Sequence, residues 1–309
     1  MLSVDFANFF PSCSRSGCLL SWQKNFPRAA PFVNAFYGRC ADVALRIGDS
    51  VNEHFGKCEQ GTAQGDPPAG AMACSLLKDF TDKLHNHLLR TFHTHQWLFL
   101  NIADDVKVLA PATVLKEAIA YMMEHCPPPG SGRTPSEPFG FSVRPSKCSL
   151  FSMEGPSHFD GIIIEEDLQG VKITIDGEKA LGSFLGSDEY IRKACVDEVR
   201  SWQPQLDHIV EYSKSYVQDA FILLRLCFIP RITHMLRTTP PELTRQAAVL
   251  FDTMTRSAVA AMLRVESIPD PAWNHAIAST AAGGFGFSSA ADEAVGAYAG
   301  SLALTLPKL

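Results

Sequence analysis

Two adjacent aspartates, Asp104 and Asp105, stand between two apolar runs and are the residues of the chain best suited to catalysis or metal binding. Residues 97–103 and 106–110 have the composition of strands, so the aspartates lie at the turn of a predicted hairpin. Neighbouring carboxylates at the mouth of a buried hairpin repel one another at neutral pH unless a cation joins them. A divalent metal ion is one such partner. The alternative is an ordinary exposed turn, because Asp is common in turns.

A third carboxylate, Asp5, ends a short β-prone stretch at residues 2–6. We expect this stretch to form a strand that pairs beside the hairpin of Asp104 and Asp105. Three carboxylates at adjacent strand ends would hold two Mg²⁺ ions, or Mn²⁺ in their place, about 3.5–4 Å apart, which stabilises both the attacking and the leaving oxygen of a phosphoryl transfer. The alternative for Asp5 is a strand cap without chemistry.

Between these acidic motifs, residues 60–77 combine a glycine-rich turn with the start of a helix. Gln64 and Gly65 lie in the turn, and Asp66 precedes prolines that favour a helix start. Small side chains in the first helical turns allow a ligand to approach the backbone closely, and the Gln64 amide lies near the same place. Alone, this segment is weak evidence for a ligand site. Its position between the acidic motifs strengthens it.

Four segments, taken in order, resemble the motifs of the reverse transcriptase domain of non-LTR retrotransposons. They are the Asp5 motif at residues 5–10, the glycine-rich turn at 61–67, the double-aspartate motif at 102–105 and a lysine-containing motif at 139–148. Residues 182–186 are similar to the primer-grip hairpin that follows them in the family. Each motif is weak alone, but their order and spacing make one specific signal. The resemblance covers residues 1–186 well and the remainder loosely.

The resemblance implies an RNA-directed DNA polymerase that acts on an RNA template, a DNA primer and deoxynucleoside triphosphates. Asp5, Asp104 and Asp105 would be its catalytic acids. They would hold two Mg²⁺ ions that lower the pKa of the primer 3′-hydroxyl and neutralise the leaving pyrophosphate. The family also implies further domains of a longer polyprotein as partners.

The same resemblance gives roles to four other residues. Phe10 would exclude a ribose 2′-hydroxyl and so select deoxynucleotides, while Gln64 and Gly65 would contact the template or the incoming nucleotide. Lys147 would donate a proton to the leaving group or pair with phosphate. A surface lysine at the start of a strand is the alternative for Lys147.

Three positions depart from the family pattern. Ile102 stands where the family has Tyr or Phe, Arg144 where it has Asn, and Phe9 where it has Ala, so we expect Phe9 to crowd the nucleotide pocket. The chain begins almost at the first motif, and we therefore expect the fingers strands that supply Lys and Arg to the triphosphate to be missing. The isolated chain is then expected to incorporate little deoxynucleotide until an upstream segment is supplied.

The expected fold is α+β. We expect a reverse-transcriptase-like palm at residues 1–186, built as an antiparallel sheet with packed helices, then a helical thumb at 187–265 and a connection segment at 266–309. The patterns of the palm predict helices over 14–26 and 113–125, a β-hairpin over 41–55, and strands at 149–151 and 159–164.

The second half of the chain has helical periodicity. Apolar residues recur every three or four positions over 191–209, as one face of one amphipathic helix, and again over 243–262. Thr239 to Glu242 predict a capping box with proline at the first helical position, and residues 281–291 predict a tight turn before a short helix. Basic residues on the polar faces would meet a duplex backbone or be solvated; they are Lys214, Arg225, Arg231, Arg237, Arg245, Arg256 and Arg264.

Composition limits the class of protein. A chain of 309 residues, 46% hydrophobic, is long enough for two domains, and its net charge of −6 argues against a generic nucleic-acid coat. Nine cysteines without a C-x-x-C pair predict reduced, mostly buried thiols. Two H-x-H pairs, at 85–87 and 93–95, favour a polar helix face over a metal site. No apolar run of about 18 residues occurs, so we expect an intracellular protein, nuclear or cytoplasmic, without a membrane partner.

Two other functions remain open. One is a catalytically inert or domesticated palm and thumb that binds nucleic acid or protein. The other is the palm of an RNA-dependent RNA polymerase, which shares the acid geometry. Phe10 argues against the second, because an enzyme that uses ribonucleotides needs a small or hydrogen-bonding group there.

Overall fold

The computed structural model describes residues 1–63, 65–93 and 96–308, and only the backbone of residues 41–47, 50–55 and 308. The chain has the predicted α+β fold. It divides into two compact units, Met1–Ile175 and Asp176–Leu309.

The first unit contains seven of the described strands and six of the described α-helices. Its strands are β1 (Leu2–Val4), β2 (Ala41–Ile47), β3 (Ser50–Cys58), β4 (Leu98–Ile102), β5 (Asp105–Leu109), β6 (Ser149–Phe151) and β7 (Lys172–Thr174). Its helices are α1 (Phe9–Ser12), α2 (Arg15–Asn25), α3 (Ala30–Tyr37), α4 (Pro67–Phe92), α5 (Ala112–His125) and α6 (Glu165–Leu168).

The predicted elements around the first two motifs are confirmed. Helix α2 lies within residues 14–26, and the Ser14 hydroxyl caps it by accepting from the Gly17 N–H at 3.2 Å. β2 and β3 form the hairpin predicted over residues 41–55, which reverses at Gly48 with φ of 60°. Helix α4 begins at Pro67, directly after Asp66, as the prolines predict.

Five strands form one sheet in the order β4-β5-β1-β6-β7. All neighbouring pairs are antiparallel except β6 and β7, which are parallel. The prediction of a wholly antiparallel sheet is therefore wrong, and the sheet is mixed. The reason is that the chain crosses over through α6 after β6 and re-enters the sheet in the same direction.

The predicted strand at residues 159–164 is also wrong. Pro156–Phe159 form a 3₁₀ helix, and the Ile163 N–H donates to the Phe159 carbonyl at 2.9 Å, so the chain turns here. Both Phe159 and Ile163 are buried, a spacing of four residues that suits a turn, whereas a half-buried strand buries every second residue.

The core of the first unit lies on one face of the sheet. Alternate strand residues such as Leu2, Val108 and Leu150 are buried there, as the period of two requires. Helix α4 adds an apolar stripe with a spacing of four residues, and α5 completes the same core; the stripe consists of Met72, Leu76, Phe80, Leu84 and Leu88.

The second unit is largely helical. Its one described hairpin consists of β8 (Gly177–Ala180) and β9 (Ser183–Gly186). Its α-helices are α7 (Asp188–Arg200), α8 (Gln203–Ser213), α9 (Val217–Leu223), α10 (Thr233–Thr238), α11 (Pro241–Leu263), α12 (Asp270–Ile277) and α13 (Ala290–Thr305).

Two helix predictions in this unit need correction. The apolar stripe over 191–209 belongs to two helices, because the chain breaks at Ser201 and Trp202, just before Pro204 in the first turn of α8. Pro241 is the first residue of α11, as predicted, but Pro240 is its N-cap and no side chain caps it. Thr239 is held extended by the following proline, and its buried hydroxyl finds no partner among the described residues.

The glycine-rich tail makes the predicted turn at Gly283, where φ is 83°. Helix α13, which follows, has 16 residues, so it is longer than the short helix predicted. The Asp252 carboxylate on α11 accepts from the backbone N–H groups of Ala290 at 2.8 Å and Ala291 at 3.1 Å, and so caps α13 from outside.

All nine cysteines are free thiols, and five of them are buried, as predicted. Within the described residues, every helix is too short or too polar to span a lipid bilayer.

Candidate active site

The first and third motifs meet where β1 and β5 end. The two strands pair antiparallel, with Val4 opposite Val106 as the last registered pair. If this register is continued by one position, forward from Val4 and backward from Val106, Asp5 stands opposite Asp105. Directly opposed residues in an antiparallel pair lie on the same face, so the continued register assigns Asp5 and Asp105 to one face at one end of the strands.

Asp104 lies in the tight turn that joins β4 to β5. The turn has two residues, Ala103 and Asp104, between the paired Ile102 and Asp105. Ala103 takes the left-handed conformation that such turns need, with φ of 52°. The predicted strand–turn–strand arrangement is therefore confirmed, and all three acidic positions lie at one edge of the sheet.

The side chains at this edge are open to solvent. Asp104 and Asp105 are exposed, and Asp5 is half-buried. Among residues 1–63, 65–93 and 96–308, the His, Cys, Asp and Glu side chains form no group of three placed to hold a metal ion. Carboxylates are the ligands that Mg²⁺ prefers, so the donor set at the strand ends fits the ion, and the metal site stays a prediction.

Helix α4 passes near the acidic turn. Burial, and then the nearby Asp104 carboxylate, raise the pKa of the Cys74 thiol above its usual range. Cys74 lies among the small residues that begin this helix after the glycine-rich turn. The second and third motifs are therefore close enough for their charges to interact.

The fourth motif flanks Asp5 from the other side. The Arg144 N–H donates to the Asp5 carbonyl at 2.9 Å, and the Ala7 N–H donates to the Ser142 carbonyl at 2.8 Å. The Asp5 N–H also points to the Cys148 sulfur at 3.4 Å. The backbone of the Asp5 motif is thus fixed between β5 and the segment 142–148.

Lys147 lies at the end of a 3₁₀ turn, Pro145–Lys147, directly before β6. Its N–H donates to the Arg144 carbonyl at 2.9 Å, and its side chain is exposed. The turn belongs to the same segment that holds Asp5. A role for this ammonium in chemistry stays a prediction.

The glycine-rich turn docks on α1, the helix that carries Phe10. The Thr62 N–H donates to the Phe10 carbonyl at 2.9 Å, and the Gly61 N–H donates to the Cys13 carbonyl at 3.0 Å. A Cβ at Gly61 would stand 2.4 Å from the Pro11 carbonyl oxygen, so only glycine permits this approach. Phe10 is therefore next to the turn.

The substrate-binding predictions in this turn have separate outcomes. Gly65 is exposed and has φ of 94°, with open space where a side chain would stand. Gln64 lies outside the described residues. Its proposed contact with template or nucleotide stays a prediction.

The two phenylalanines of the first motif differ in burial. Phe9 is only 3% exposed and stacks on Phe141 with ring centroids 5.1 Å apart. Phe10 is partly buried and contacts Phe9 edge-on at 5.2 Å. Phe9 therefore fills the core. The expectation that its bulk crowds a nucleotide pocket stays a prediction.

Two residues that hold the glycine-rich turn were not predicted. The Arg15 guanidinium donates to the carbonyl oxygens of Gly61 at 3.1 Å and Cys58 at 2.6 Å. The Tyr37 hydroxyl donates to the Asp66 carboxylate; burial and then this hydrogen bond raise the pKa of Tyr37 to about 12. Both residues follow the first motif without any spacing that marks them, so only the tertiary structure shows their role.

The histidine pairs have structural partners. The His87 ring contacts the Glu117 carboxylate at 2.5 Å, and the Trp97 Nε1 donates to His85 at 3.0 Å. His93 ends α4 in the left-handed conformation, and His95 lies outside the described residues. His85 and His87 thus make polar contacts on α4, in line with the polar-face prediction.

Some basic residues of the second unit also have internal roles. Arg256 donates to the Ile268 carbonyl and to the Asp270 carboxylate at 2.7 Å, and it lies over the Trp273 ring. Arg231 stacks on Trp202 with 5.1 Å to the ring centroid. These interactions stabilise the helical unit, which reduces the set of cations free to meet a duplex.

The predicted primer-grip segment forms the hairpin β8–β9. Its turn is held from α10, since the His234 ring contacts the Leu181 carbonyl at 3.1 Å. Gly177 and Gly186 face each other across the hairpin, and a Cβ at either would strike the Tyr190 ring of α7. The hairpin is therefore part of the second unit.

Comparison of the chain with protein-family models gave no match, and the search of curated proteins gave no significant match.

Proposed function

We propose that this chain carries the palm site of an RNA-directed DNA polymerase of the kind found in non-LTR retrotransposons. The observation that carries the proposal is the register of β1 and β5, which brings Val4 and Val106 together next to Asp5 and Asp105, with Asp104 in the adjoining turn. A two-metal nucleotidyl transfer needs carboxylates that converge on two neighbouring ions, and the ends of adjacent strands can supply them.

The surroundings of Asp5 support the same proposal. The glycine-rich turn is hydrogen-bonded to α1 just after Asp5, and the lysine-containing segment is hydrogen-bonded to Asp5 itself. The four sequence motifs thus belong to one local structure. A coincidental match of short motifs would give no reason for them to be neighbours in space.

In this proposal Asp5, Asp104 and Asp105 would hold two Mg²⁺ or Mn²⁺ ions. Bound there, the ions supply positive charge for the triphosphate and the primer 3′-oxygen. The chain itself would position substrates: Phe10 beside the sugar of the incoming nucleotide, the turn of Gln64 and Gly65 against the template or base, and Lys147 towards phosphate. The second unit would act as the thumb that holds the RNA template and DNA primer.

The test is primer extension on an RNA template with deoxynucleotides and Mg²⁺ or Mn²⁺, run on the chain alone and with a fingers segment supplied in trans. We expect Asp104→Asn and Asp5→Asn each to lower extension by at least about a hundredfold, since each removes a charge that stabilises the transition state. Asp160→Asn, an exposed acid elsewhere in the first unit, should leave extension unchanged. Extension that persists in Asp104→Asn would overturn the proposal.

The same assay separates the alternatives. Binding of template–primer without extension under either condition would indicate an inert binding module. Equal incorporation of ribonucleotides by the wild-type chain would indicate an RNA polymerase palm. Under the present proposal, Phe10→Ala should increase ribonucleotide incorporation relative to deoxynucleotide incorporation, because it removes the ring that blocks the 2′-hydroxyl.

A further inference from the structure

Two buried cysteines meet where α1 ends and α2 begins. The Cys18 thiol donates a hydrogen bond to the Cys13 sulfur at 3.5 Å, and both residues are 0% exposed. Cys13 is the C-cap of α1 and Cys18 lies in the first turn of α2, so the short connection between the two helices sets the contact. A disulfide has an S–S distance of about 2.05 Å, so the two sulfurs are about 1.5 Å from bonding distance.

Their surroundings make the two thiols unequal. The hydrogen bond from Cys18 lowers the pKa of the Cys13 thiol below its usual range, although burial opposes this. The same hydrogen bond, and then burial, raise the pKa of the Cys18 thiol. Because the thiolate is the form that reacts with oxidants, Cys13 is the sulfur that would be oxidised first. Cys18 is in contact with it as the thiol that resolves the oxidised product.

A cleft of about 500 Å³ lies next to the pair. Its lining includes Ser14 and Leu19, which directly follow Cys13 and Cys18 in the chain. Gly140 lines the same cleft, and a Cβ there would stand 2.7 Å from the Ser14 nitrogen. Each cysteine is thus one residue away from the cleft wall. A local opening of that wall, without unfolding of the whole unit, would admit a small oxidant.

Cys13 also holds the glycine-rich turn. Its carbonyl accepts from the Gly61 N–H at 3.0 Å. Its thiol donates to the Phe10 carbonyl at 3.1 Å, and that carbonyl also accepts from the Thr62 N–H at 2.9 Å. A disulfide sulfur has no proton to donate, so oxidation of Cys13 removes one of these contacts and draws its side chain towards Cys18. The thiol pair is therefore linked to residues 61 and 62 through hydrogen bonds.

We propose that Cys13 and Cys18 form an oxidative modification site, at which a hydroperoxide converts the two thiols into a disulfide and loosens the glycine-rich turn. The site does not depend on the proposed polymerase function.

The reaction has two steps, written here for hydrogen peroxide. The Cys13 sulfur attacks one peroxide oxygen; the S–O bond of a sulfenic acid forms, the O–O bond breaks, and the leaving oxygen takes the thiol proton and becomes water. The Cys18 sulfur then attacks the Cys13 sulfur; the S–S bond forms, the S–O bond breaks, and the hydroxyl group leaves with the Cys18 proton as a second water. The two thiols are oxidised, and the peroxide takes up their two electrons.

Trypsin provides a direct test, because Arg15 lies between the two cysteines. Cleavage after Arg15 and Lys24 leaves Cys13 in peptide 1–15 and Cys18 in peptide 16–24, as the single cysteine of each. The folded chain is treated with hydrogen peroxide, its remaining thiols are alkylated, and the digest is analysed by mass spectrometry without reduction. We expect the two peptides to appear joined, with a mass lower by two hydrogen atoms than their sum. Dithiothreitol should separate them.

Three variants assign the roles of the sulfurs. C18A should stop the reaction at the Cys13 sulfenic acid, which dimedone traps as an adduct on peptide 1–15. C13A should leave Cys18 as a free thiol. C195A removes another buried thiol, in the second unit, and should form the link like the wild type. Circular dichroism checks that each variant is folded, and the peptide map of the wild type gives a result even where a variant is not.

Hydrogen exchange followed by NMR tests the link to the turn. We expect the Gly61 and Thr62 amides to exchange several-fold faster in the oxidised chain, and to recover with dithiothreitol. The Leu115 amide, which donates to the Pro111 carbonyl at the start of α5, is the control and should be unchanged.

Two results would overturn the modification site. One is recovery of peptides 1–15 and 16–24 unlinked from the treated wild-type chain after the exposed thiols of Cys40 and Cys227 have been oxidised. The other is a link that forms only once the chain has been unfolded in urea. A link that forms with unchanged exchange at Gly61 and Thr62 would overturn the loosening of the turn. All these measurements use the chain without template, primer or nucleotide, so their outcome is separate from that of the polymerase assay.

Discussion

Val4 and Val106 form the last registered pair of β1 and β5, with Asp5 directly after Val4, Asp105 directly before Val106, and Asp104 preceding Asp105 in the β4–β5 turn. Carboxylates that lie near one another raise the free energy of the folded state when they are ionised. A divalent cation at the proposed metal site would offset such repulsion, so metal binding there would be linked to folding.

Mg²⁺ or Mn²⁺ should therefore raise the melting temperature of the chain. At a free metal concentration of 100 times the Kd, linkage gives about 2.7 kcal/mol, which corresponds to a shift of several degrees. Asp104→Asn should reduce the shift, and Asp160→Asn should not. Differential scanning calorimetry with and without the ion provides the measurement; an unchanged wild-type melting temperature would contradict a two-metal site.

Gly61→Ala should destabilise the chain by about 1–3 kcal/mol. Its φ of 73° is strained for alanine, and the new Cβ would press on the Pro11 carbonyl oxygen. Gly70→Ala is the matched control: it lies inside α4 with open space around its Cα, and alanine there should stabilise by about 0.5–1 kcal/mol. Urea unfolding measures both. We expect the free energy of unfolding to fall in Gly61→Ala and to rise in Gly70→Ala. If it rises in both variants, the turn does not need glycine at position 61.

Tyr37 gives the chain a specific response to alkaline pH. The pKa of this hydroxyl is raised from its usual 10 to about 12 by burial and by the Asp66 hydrogen bond. Below pH 10 the hydroxyl is neutral in both the folded and the unfolded chain, so its full contribution to the free energy of unfolding is present. Between about pH 10 and 12 the unfolded chain loses its proton first, and stability falls as pH rises. Tyr37→Phe should flatten that part of a plot of unfolding free energy against pH; an unchanged slope would contradict the assignment.

Asp252 should be a strong determinant of the second unit's stability. Its carboxylate accepts from two backbone N–H groups and from the Ser289 hydroxyl at 2.8 Å, at the positive end of α13. We expect Asp252→Ala to cost about 1–3 kcal/mol, and Asp252→Asn to cost less, because it keeps an acceptor and loses only the charge. Denaturant unfolding followed by circular dichroism tests the order. If Asp252→Asn destabilises the chain as much as Asp252→Ala, the charge of Asp252 and not its hydrogen bonds provides the stabilisation.

Local sequence patterns were sufficient to predict the secondary-structure elements that carry the three acids. The strand before Asp5, the hairpin around Asp104 and the proline start of α4 each follow from residue types within a few positions. Order along the chain then suggested that these elements meet. The pairing of β1 with β5 is the step that sequence alone left as an expectation.

Long-range interactions explain what the sequence did not predict. The parallel direction of β7 depends on the path between residues 152 and 171, which has no periodic pattern. The break between α7 and α8 is hidden by an apolar stripe that continues through Trp202, and only Pro204 hints at it. Arg15 acts through the backbone carbonyls of a distant turn, and backbone acceptors leave no trace in a sequence.

The central position of β1 has a consequence for synthesis of the protein. Leu2 faces Val108 on one side and Leu150 on the other, so β1 waits during synthesis for two neighbours that lie far along the chain. Closing such long loops costs entropy before any pairing rewards it, which slows folding. The apolar residues of β1 and the paired phenylalanines that follow it stay uncovered during this interval. Nascent chains that end before β6 should therefore depend on chaperones and aggregate in their absence.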